Sequence, residues 1–174
     1  MGPSDFAVIL GYDEQYKTLE DLRKDIECGY IPNDTYATQF GVEHEEIGIY
    51  YYQKMKHVTT TKPKFIVDYN NERIGGIADA LVDDMKGLEI KCHIKEENLL
   101  TELPIKHLLQ VTGYMYLYKR KKWDLMSCVF NDNNTIKKYT LFEVEWKNVE
   151  KRWTNEWYPS IVEFVDNVKW YKGI

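Results

Sequence analysis

The hydrophobic spacing of the chain changes at Pro63, and this change requires a fold that contains both helices and a sheet. Before Pro63, apolar residues recur at near-helical intervals and predict a long helix that begins at Asn33 or Asp34 and reaches about Lys56. The residues expected on the core side of this helix are Phe40, Ile47 and Tyr51. After Pro63, alternating apolar residues and turn signals predict strands.

The predicted elements define the fold class. Predicted strands cover residues 64–68, 74–82, 88–94, 123–130 and 136–144, and predicted helices cover residues 4–10, 18–28, 33–56, 104–118 and 148–170. Ser4 and Thr18 are the predicted caps of the first two helices, Gly29 ends the second, and Pro159 is expected to bend the last. This order predicts an α/β fold, with a single domain over residues 1–174 and a central mixed β-sheet flanked by helices.

The composition limits the classes of function. The net charge of −5 argues against broad nucleic-acid binding, because phosphate contacts need Lys and Arg. The basic run Lys119–Lys122 is consistent with either a solvated loop or a local nucleic-acid contact. No apolar run approaches the roughly 20 residues of a membrane-spanning helix. Three widely spaced cysteines indicate reduced thiols, so a cytoplasmic location is expected.

Two carboxylates and a lysine in the middle of the chain form the strongest candidate site. In a strand, alternate side chains point the same way, so Glu89 and Lys91 share one face while Leu88 and Ile90 share the other. Asp79, on the preceding strand of a predicted hairpin, is expected beside Glu89. Carboxylate oxygens suit Mg²⁺, and a nearby ammonium suits a water molecule or a phosphate. On spacing alone, an exposed salt bridge on a strand face is the simpler interpretation.

Four segments extend this pattern in a fixed order along the chain. They are Gly2–Gly11 with Tyr16–Thr18, Gly41–Glu45, Asp79 with Glu89–Cys92, and Pro104–Met115 with its Gln110, Gly113 and Tyr114. Together they resemble the lambda-type phage exonucleases, the YqaJ-like viral recombinase family of the PD-(D/E)XK nuclease superfamily. The resemblance implies a restriction-endonuclease-like core. It also implies a Mg²⁺-dependent exonuclease that digests double-stranded DNA from the 5′ end, in recombination or viral genome processing.

The resemblance implies the roles of the catalytic residues. Asp79, Glu89 and the carbonyl oxygen of Ile90 would bind Mg²⁺, which Mn²⁺ is expected to replace. Lys91 would position or activate the attacking water. Glu45 would project from the long helix toward a second metal ion or its water shell.

The resemblance also implies contacts with DNA. Gln110 would help to hold DNA or the geometry of the site, and Ser4 would contact a phosphate near the 5′ end. The family usually has an arginine in an earlier helix for the 5′-phosphate pocket, and Lys17, Arg23 or Lys24 is the expected substitute for it in this sequence. Tyr114 belongs to a tyrosine series suited to base stacking, although core or subunit contacts are the commoner role for such aromatics.

Two departures from the family pattern bear on the function. Ala78 stands where the superfamily has proline, which shapes the backbone and binds no metal. Ile77 stands where some members have a small polar residue near the phosphate. The alternative functions are an endonuclease of the same superfamily and a catalytically inactive DNA-binding or assembly module. Asp68 is expected to be the polar end of a strand, with a role as a further metal ligand as the alternative.

The resemblance finally implies partners. They are double-stranded DNA ends, further copies of the chain in a homo-oligomer of the toroidal trimer type, and a single-strand annealing protein. The 14 tyrosines and five tryptophans fit an oligomer interface. A viral or phage origin is expected.

Overall fold

The computed structural model describes residues 1–31 and 35–173. The strands are β1 (Thr60–Thr61), β2 (Ile66–Asp68), β3 (Asn71–Gly76), β4 (Ala80–Val82), β5 (Lys86–His93), β6 (Lys122–Phe130) and β7 (Ile136–Glu145). The α-helices are α1 (Phe6–Ile9), α2 (Leu19–Cys28), α3 (Tyr36–Lys56), α4 (Ile105–Tyr118), α5 (Trp146–Arg152) and α6 (Tyr158–Asn167). None of these helices has the length and apolar content that a membrane crossing needs.

The larger of the two sheets in this part of the chain has the strand order β1-β4-β5-β6-β7 and is mixed. β5 and β6 run parallel, and the other neighbours are antiparallel. A parallel pair needs a crossover connection, which α4 supplies between β5 and β6. The predicted α/β fold with a central mixed sheet flanked by helices is confirmed.

Helices cover both faces of the larger sheet. The strand residues buried beneath α3 are Ala80, Val82, Leu88, Ile90, Met126, Cys128 and Phe130. The strand residues buried beneath α4 are Trp123, Leu125 and Val144. Because Leu88 and Ile90 point toward α3, Glu89 and Lys91 point toward α4. This alternation decides on which side of the sheet the candidate site lies.

The buried side of α3 differs from the predicted one. It is centred on His44, Gly48 and Tyr52, which follow one another at intervals of four residues. Tyr52 is 1% exposed, whereas Tyr51 is 37% exposed, so the prediction that Tyr51 faces the core is wrong. The other two predicted core residues of α3 are partly buried at the margin of this side, and they are Phe40 and Ile47. A helical period of 3.6 places the two tyrosines about 100° apart, and packing on the sheet decides which one is buried.

The predicted strand over residues 74–82 is two strands in different sheets. β3 pairs with β2 and ends at Gly76, whereas β4 begins at Ala80 and pairs with β5. The sequence conceals the break because residues 77 and 78 are apolar and suit a strand interior. The change of pairing partner is set by tertiary packing. The predicted hairpin before residue 88 is confirmed as the β4–β5 connection.

The helix ends agree in part with the predicted capping residues. Thr18 Oγ1 accepts a backbone hydrogen bond at 3.1 Å, and Gly29 ends α2 with a φ of 68°, so both predictions are confirmed. Ser4 caps no helix, because it lies inside a 3-10 turn that leads into α1. The predicted helix start at Asn33 or Asp34 lies outside the described residues.

The last predicted helix consists of two α-helices, α5 and α6, that are joined by a π-helical turn. A π-helical turn, Trp153–Trp157, joins α5 to α6 immediately before Pro159 enters the first turn of α6. Trp153 and Trp157 are 2% and 1% exposed and pack in the same core cluster as Phe6 of α1. These tryptophans therefore belong to the core.

Candidate active site

Asp79 lies in the short segment between the two sheets and is fixed to the neighbouring strand β5. Its Oδ2 atom accepts a hydrogen bond from the N–H of Ile90 at 2.8 Å. The β4–β5 register pairs Ala80 with Leu88, so Asp79 lies beside the part of β5 that carries Glu89. The N–H and C=O of one strand residue point to the same side. The carbonyl oxygen of Ile90 therefore also faces the side of Asp79.

The carboxylate of Glu89 has two oxygens in different surroundings. The residue is 4% exposed, and Oε1 lies 3.2 Å from Nζ of Lys91. Oε2 is buried and has no hydrogen-bond partner within the described part of the chain. A buried carboxylate oxygen without a partner is costly in free energy. This atom is therefore suited to receive a cation.

Gln110 of α4 holds the ammonium group of Lys91. The amide oxygen Oε1 accepts a hydrogen bond from Nζ at 2.7 Å, and Gln110 itself is buried. With Glu89 Oε1 on its other side, Nζ has two acceptors from two elements, β5 and α4. A lysine ammonium has three donors, so among the described contacts one remains for a ligand.

Glu45 reaches the same region from α3. One helical turn later, Gly48 lies against Ile90: a Cβ atom at Gly48 would stand 2.9 Å from Ile90 Cγ2. The missing side chain lets α3 approach β5 closely, and this brings Glu45 to the site. Glu45 and Asp79 line one cleft of about 400 Å³, together with Lys62.

The carboxyl groups of this cluster repel one another in a poorly solvated place. Burial, with a smaller contribution from the charge of Glu45, raises the pKa of Asp79 to about 7. Burial and then the charge of Asp79 raise the pKa of Glu89 to about 8. Burial also raises the pKa of Glu45. A divalent cation among these groups would offset the repulsion and favour their ionised forms.

The donor set fits a hard divalent cation. Asp79, Glu89 and the carbonyl of Ile90 offer only oxygen ligands, the type that Mg²⁺ and Mn²⁺ prefer. Oε2 of Glu89 supplies a ligand atom that no described group already uses. Among residues 1–31 and 35–173, no three Asp, Glu, His or Cys side chains are already closed around one ion position.

Residues 1–119 match the family model described as the YqaJ-like viral recombinase domain. The chain belongs to the YqaJ-like viral recombinase family. The resemblance expected from the sequence motifs is thereby confirmed. A comparison with curated proteins finds no match.

Solved structures of two exonucleases are similar to this YqaJ-like chain. An alkaline exonuclease (LHK-Exo) from Laribacter hongkongensis has 18% sequence identity and a TM-score of 0.70, over 97% of this chain and 89% of that chain. A phage related exonuclease from Haemophilus somnus 129PT has 18% identity and a TM-score of 0.67, over 95% of this chain and 90% of that chain. At this level of identity, the similarity establishes a shared fold.

Tyr114, which the resemblance predicts to contact DNA, lies inside the fold. Tyr114 is 7% exposed, and its ring stacks on Trp123 with the ring centroids 5.6 Å apart. Its hydroxyl group donates a hydrogen bond to the carbonyl of Ile77 at 3.1 Å. In this position Tyr114 holds the backbone that leads to Asp79, and its side chain is not on the surface.

Tyr118, one turn after Tyr114 on α4 and part of the same tyrosine series, holds the same segment, a role that the sequence motifs did not predict. Its hydroxyl oxygen accepts a hydrogen bond from the N–H of Ala78 at 3.3 Å and donates to the carbonyl of Lys64 at 2.7 Å. The four-residue spacing of the two tyrosines is the available signal, because it places both rings on one helix face. The irregular segment before Asp79 is therefore fixed by side chains of α4.

Ser4 and Lys17, the DNA-contact candidates near the N-terminus, form contacts of their own. Ser4 is exposed in its 3-10 turn, which packs through Pro3 against Gly76 at the end of β3. Lys17 forms an ion pair with Asp25 at 2.6 Å. No hydrogen bond or ion pair of the described residues joins Ser4 or Lys17 to the Asp79 cluster.

Asp68, the alternative further ligand, is used in packing. It is 5% exposed and accepts hydrogen bonds from the hydroxyl of Tyr116 at 3.0 Å, the hydroxyl of Tyr158 at 2.5 Å and the N–H of Asn70 at 3.0 Å. These three donors occupy both carboxylate oxygens. Asp68 is therefore the polar end of β2, and it stabilises the contact of this strand with α4 and α6.

The basic run Lys119–Lys122 spans the connection between α4 and β6 and the first residue of β6. Arg120 donates a hydrogen bond to the carbonyl of Asp83 at 3.0 Å. Lys121 and Lys122 line a surface cleft that also contains Glu145 and Glu150. These contacts, with acidic residues beside the basic ones, are those of a solvated loop.

Proposed function

We propose that the chain is a Mg²⁺-dependent deoxyribonuclease that hydrolyses the phosphodiester bonds of double-stranded DNA, starting at the 5′ end. The observation that carries the proposal is the convergence of Asp79, Glu89 and Lys91 at Ile90 of β5. Membership of the YqaJ-like viral recombinase family and a fold shared with two exonucleases support it. Mn²⁺ is expected to replace Mg²⁺, because both ions take oxygen ligands.

Three groups would hold the cation in this proposal, and a fourth would act beside them. Asp79, Glu89 and the carbonyl oxygen of Ile90 would bind it directly, and Glu45 would bind a second cation or the water around the first. Such an ion supplies a Lewis acid for the phosphate and lowers the pKa of a bound water. The buried, partnerless Oε2 of Glu89 favours this use, because ionising that carboxyl group without a cation is costly.

Lys91 would orient the nucleophile or stabilise developing charge. Its Nζ is held between Glu89 Oε1 at 3.2 Å and Gln110 Oε1 at 2.7 Å, so its direction is fixed before DNA binds. From this position it can donate a hydrogen bond to the attacking water or to a non-bridging phosphate oxygen, where negative charge increases in the transition state. Gln110 acts through Lys91 and is a positioning residue.

The 5′ preference rests on the family resemblance. Ser4, exposed at the start of the chain, is the residue proposed to contact a phosphate near the 5′ end. Lys17 would have to leave its partner Asp25 to bind a phosphate. An endonuclease would share the Asp79 cluster and lack the preference for ends, so the polarity needs its own measurement.

The test is digestion of a linear duplex that carries different fluorophores at its 5′ and 3′ ends, beside a covalently closed circle of the same sequence. We expect the wild type to release the 5′ label first, to require Mg²⁺ and to leave the circle intact. Lys91→Ala is expected to lose at least about 100-fold in rate. Lys95→Ala is the matched control, because this exposed lysine pairs only at 3.9 Å with the exposed Glu97.

Each outcome of this test has a definite meaning. Cutting of the closed circle would show that the protein is an endonuclease of the same superfamily rather than an exonuclease. Release of the 3′ label before the 5′ label would show that digestion starts at the 3′ end. Intact linear DNA with either Mg²⁺ or Mn²⁺, together with no heat of Mg²⁺ binding in calorimetry, would overturn the nuclease proposal. The chain would then be an inactive DNA-binding or assembly module.

Four expectations stay predictions. They are the single domain over residues 1–174, the toroidal trimer, the single-strand annealing partner and the cytoplasmic location. Tyr36, Val42 and Tyr50 are exposed along α3 and offer apolar surface for an assembly. Light scattering of the purified chain after size-exclusion chromatography measures the number of copies. A monomer at all concentrations would contradict the trimer.

A further inference from the structure

The two edges of the larger sheet differ in length. The strand at one edge, β1, has 2 residues and is soon followed by Pro63, which has no backbone N–H to donate. The strand at the other edge, β7, has 10 residues and pairs only with β6. A short edge resists further pairing, whereas a long edge offers a row of N–H and C=O groups to another strand.

The free edge of β7 is suited to a further strand. Every second residue of an edge strand directs its N–H and C=O away from its neighbour in the sheet. In the part of the chain that the structure describes, no backbone hydrogen bond from outside the sheet reaches residues 136–144. The strand contains neither proline nor glycine, and most of its residues are β-branched or aromatic or lie between such residues. β7 is therefore able to pair along most of its length.

The start of β7 carries an excess of positive charge. The ammonium groups of Lys137 and Lys138 share one carboxylate, that of Glu96, at 2.9 Å and 3.4 Å. Two cations are therefore set against one anion. Lysines on an edge strand hinder its pairing with a strand of the same charge, but they favour pairing with acidic residues.

The other end of β7 carries an excess of negative charge. Oε2 of Glu143 lies 2.6 Å from Nζ of Lys86, and Oδ2 of the buried Asp124 lies 3.4 Å from the same atom. Two anions are therefore set against one cation. If two β7 strands pair antiparallel, the basic start of each lies against the acidic end of the other, whereas a parallel pair brings like charges together.

Apolar side chains occupy the middle of β7 on the face toward α3. Leu141 packs at the margin of the core beneath α3, and the ring centroid of Tyr139 lies 5.6 Å from that of Tyr51 on α3. Tyr139 is 38% exposed and Tyr51 is 37% exposed. An apolar centre with a charged rim is the usual composition of a protein–protein interface.

We propose that β7 pairs antiparallel with β7 of a second copy of the chain, about a two-fold axis at Thr140. In this register Lys137 lies opposite Glu143 of the partner subunit, and Tyr139 lies opposite Leu141 of the partner subunit. Opposite residues of an antiparallel pair are on the same face of the sheet, so their side chains are in contact. The two larger sheets become one continuous sheet with a β1 strand at each edge.

Self-pairing closes the assembly at two copies. A two-fold contact uses the same surface of both subunits, so neither β7 strand stays free. The edges of the combined sheet are then the two short β1 strands, which resist further growth. A ring of three copies needs contacts between unlike surfaces, so this pairing alone does not form one. The net charge of −5 opposes association weakly, because physiological salt screens charges beyond about 8 Å.

The test exchanges charges between two variants and measures the number of copies by sedimentation equilibrium. We expect the wild type to show a monomer–dimer equilibrium. Lys137→Glu and Glu143→Lys each place like charges opposite one another at both ends of the pair, so each is expected to weaken dimerisation about 10-fold. An equimolar mixture of the two variants is expected to dimerise as strongly as the wild type, because each mixed dimer has opposite charges at both ends.

Two controls accompany these variants. Lys151→Glu makes the same change of charge at an exposed position of α5 and is expected to leave the dimer unchanged. Thermal melting verifies that each variant is folded, which matters for Glu143→Lys because it removes the ion pair with Lys86. Hydrogen exchange gives a second readout. Amides of residues 136–145 should be better protected at high than at low protein concentration in the wild type, but not in Lys137→Glu.

The inference is independent of the proposed nuclease function, because none of these measurements needs DNA cleavage. A wild type that stays monomeric at its highest soluble concentration overturns the inference. An oligomer with the same Kd in the wild type and in folded Lys137→Glu and Glu143→Lys also overturns it, in favour of another surface. A mixture of the two variants that dimerises no better than either variant alone overturns the antiparallel pairing at Thr140.

Discussion

The ammonium group of Lys91 donates a hydrogen bond to the amide oxygen of Gln110 at 2.7 Å. An amide oxygen accepts this bond without neutralising the charge, so Lys91 is oriented while its positive charge remains available for a phosphate. We expect Gln110→Leu to lower kcat on linear duplex DNA about 100-fold, as misplaced catalytic groups do. Mg²⁺ affinity, measured by calorimetry, should not change. Gln39→Leu, an exposed glutamine of α3, is the control. A lower Mg²⁺ affinity in Gln110→Leu would contradict a role through Lys91 alone.

Tyr118 connects the backbone of Lys64 to that of Ala78, next to Asp79. We expect Tyr118→Phe to lower the free energy of unfolding by about 1 kcal/mol and also to weaken Mg²⁺ binding, because the Asp79 segment loses its anchor. Tyr116→Phe is the matched control. It removes a hydroxyl group from the same helix, but that group bonds Asp68 and Asn70 away from the cluster. Equal Mg²⁺ affinities in the two variants would show that Tyr118 is merely structural.

Tyr52 donates a hydrogen bond of 2.5 Å to Oδ2 of Asp124, which is 1% exposed. The other described partner of this carboxylate, Lys86, lies 3.4 Å away. We expect Tyr52→Phe to lower the free energy of unfolding by about 2 kcal/mol in urea denaturation, since it leaves a buried charged oxygen poorly bonded. DNA cleavage should continue. Tyr51→Phe, at the exposed neighbouring position, should stay within about 0.5 kcal/mol of wild type. Equal losses in both variants would refute the importance of this bond.

The sequence predicts the central part of this fold because the relevant signals are local. The alternation in β5 separates Leu88 and Ile90 from Glu89 and Lys91, and strand geometry alone converts it into two faces. The break after Gly76 has no such local signal. It follows from a change of pairing partner within a few residues, from β2 before the break to β5 after it. Propensities of single residues contain no information about that choice.

The same limit applies to the candidate site. The types of its charged residues were predictable, because Mg²⁺ chemistry requires oxygen ligands and phosphate chemistry favours a cation. The role of Tyr114 could not be predicted, because an aromatic residue at helical spacing is compatible with both the protein core and a DNA-binding surface. Burial against Trp123 decides in favour of the core. Lys62 was missed for a related reason, since only the folded chain brings it to the cleft of Asp79.

The titration of the carboxyl cluster gives a prediction about pH and metal binding. Burial raises the pKa of Asp79 to about 7 and that of Glu89 to about 8, whereas both groups titrate near pH 4 in the unfolded chain. Between about pH 4 and pH 8, the folded metal-free protein therefore holds more protons than the unfolded chain. Its free energy of unfolding should fall as the pH rises through this window. Mg²⁺ competes with these protons, so its binding should release protons near neutral pH and become tighter at higher pH.

Two measurements test this expectation. Thermal melts with EDTA and with Mg²⁺ should show an increase in Tm caused by Mg²⁺ that is small near pH 5 and larger near pH 8. Calorimetry at neutral pH in two buffers of different ionisation enthalpy should give different heats, since each buffer takes up the released protons. Asp79→Asn should abolish both effects, and Glu97→Gln, at an exposed position of the same charge, should retain them. A Tm increase of equal size at the two pH values would mean that the ion binds outside the Asp79 and Glu89 pair.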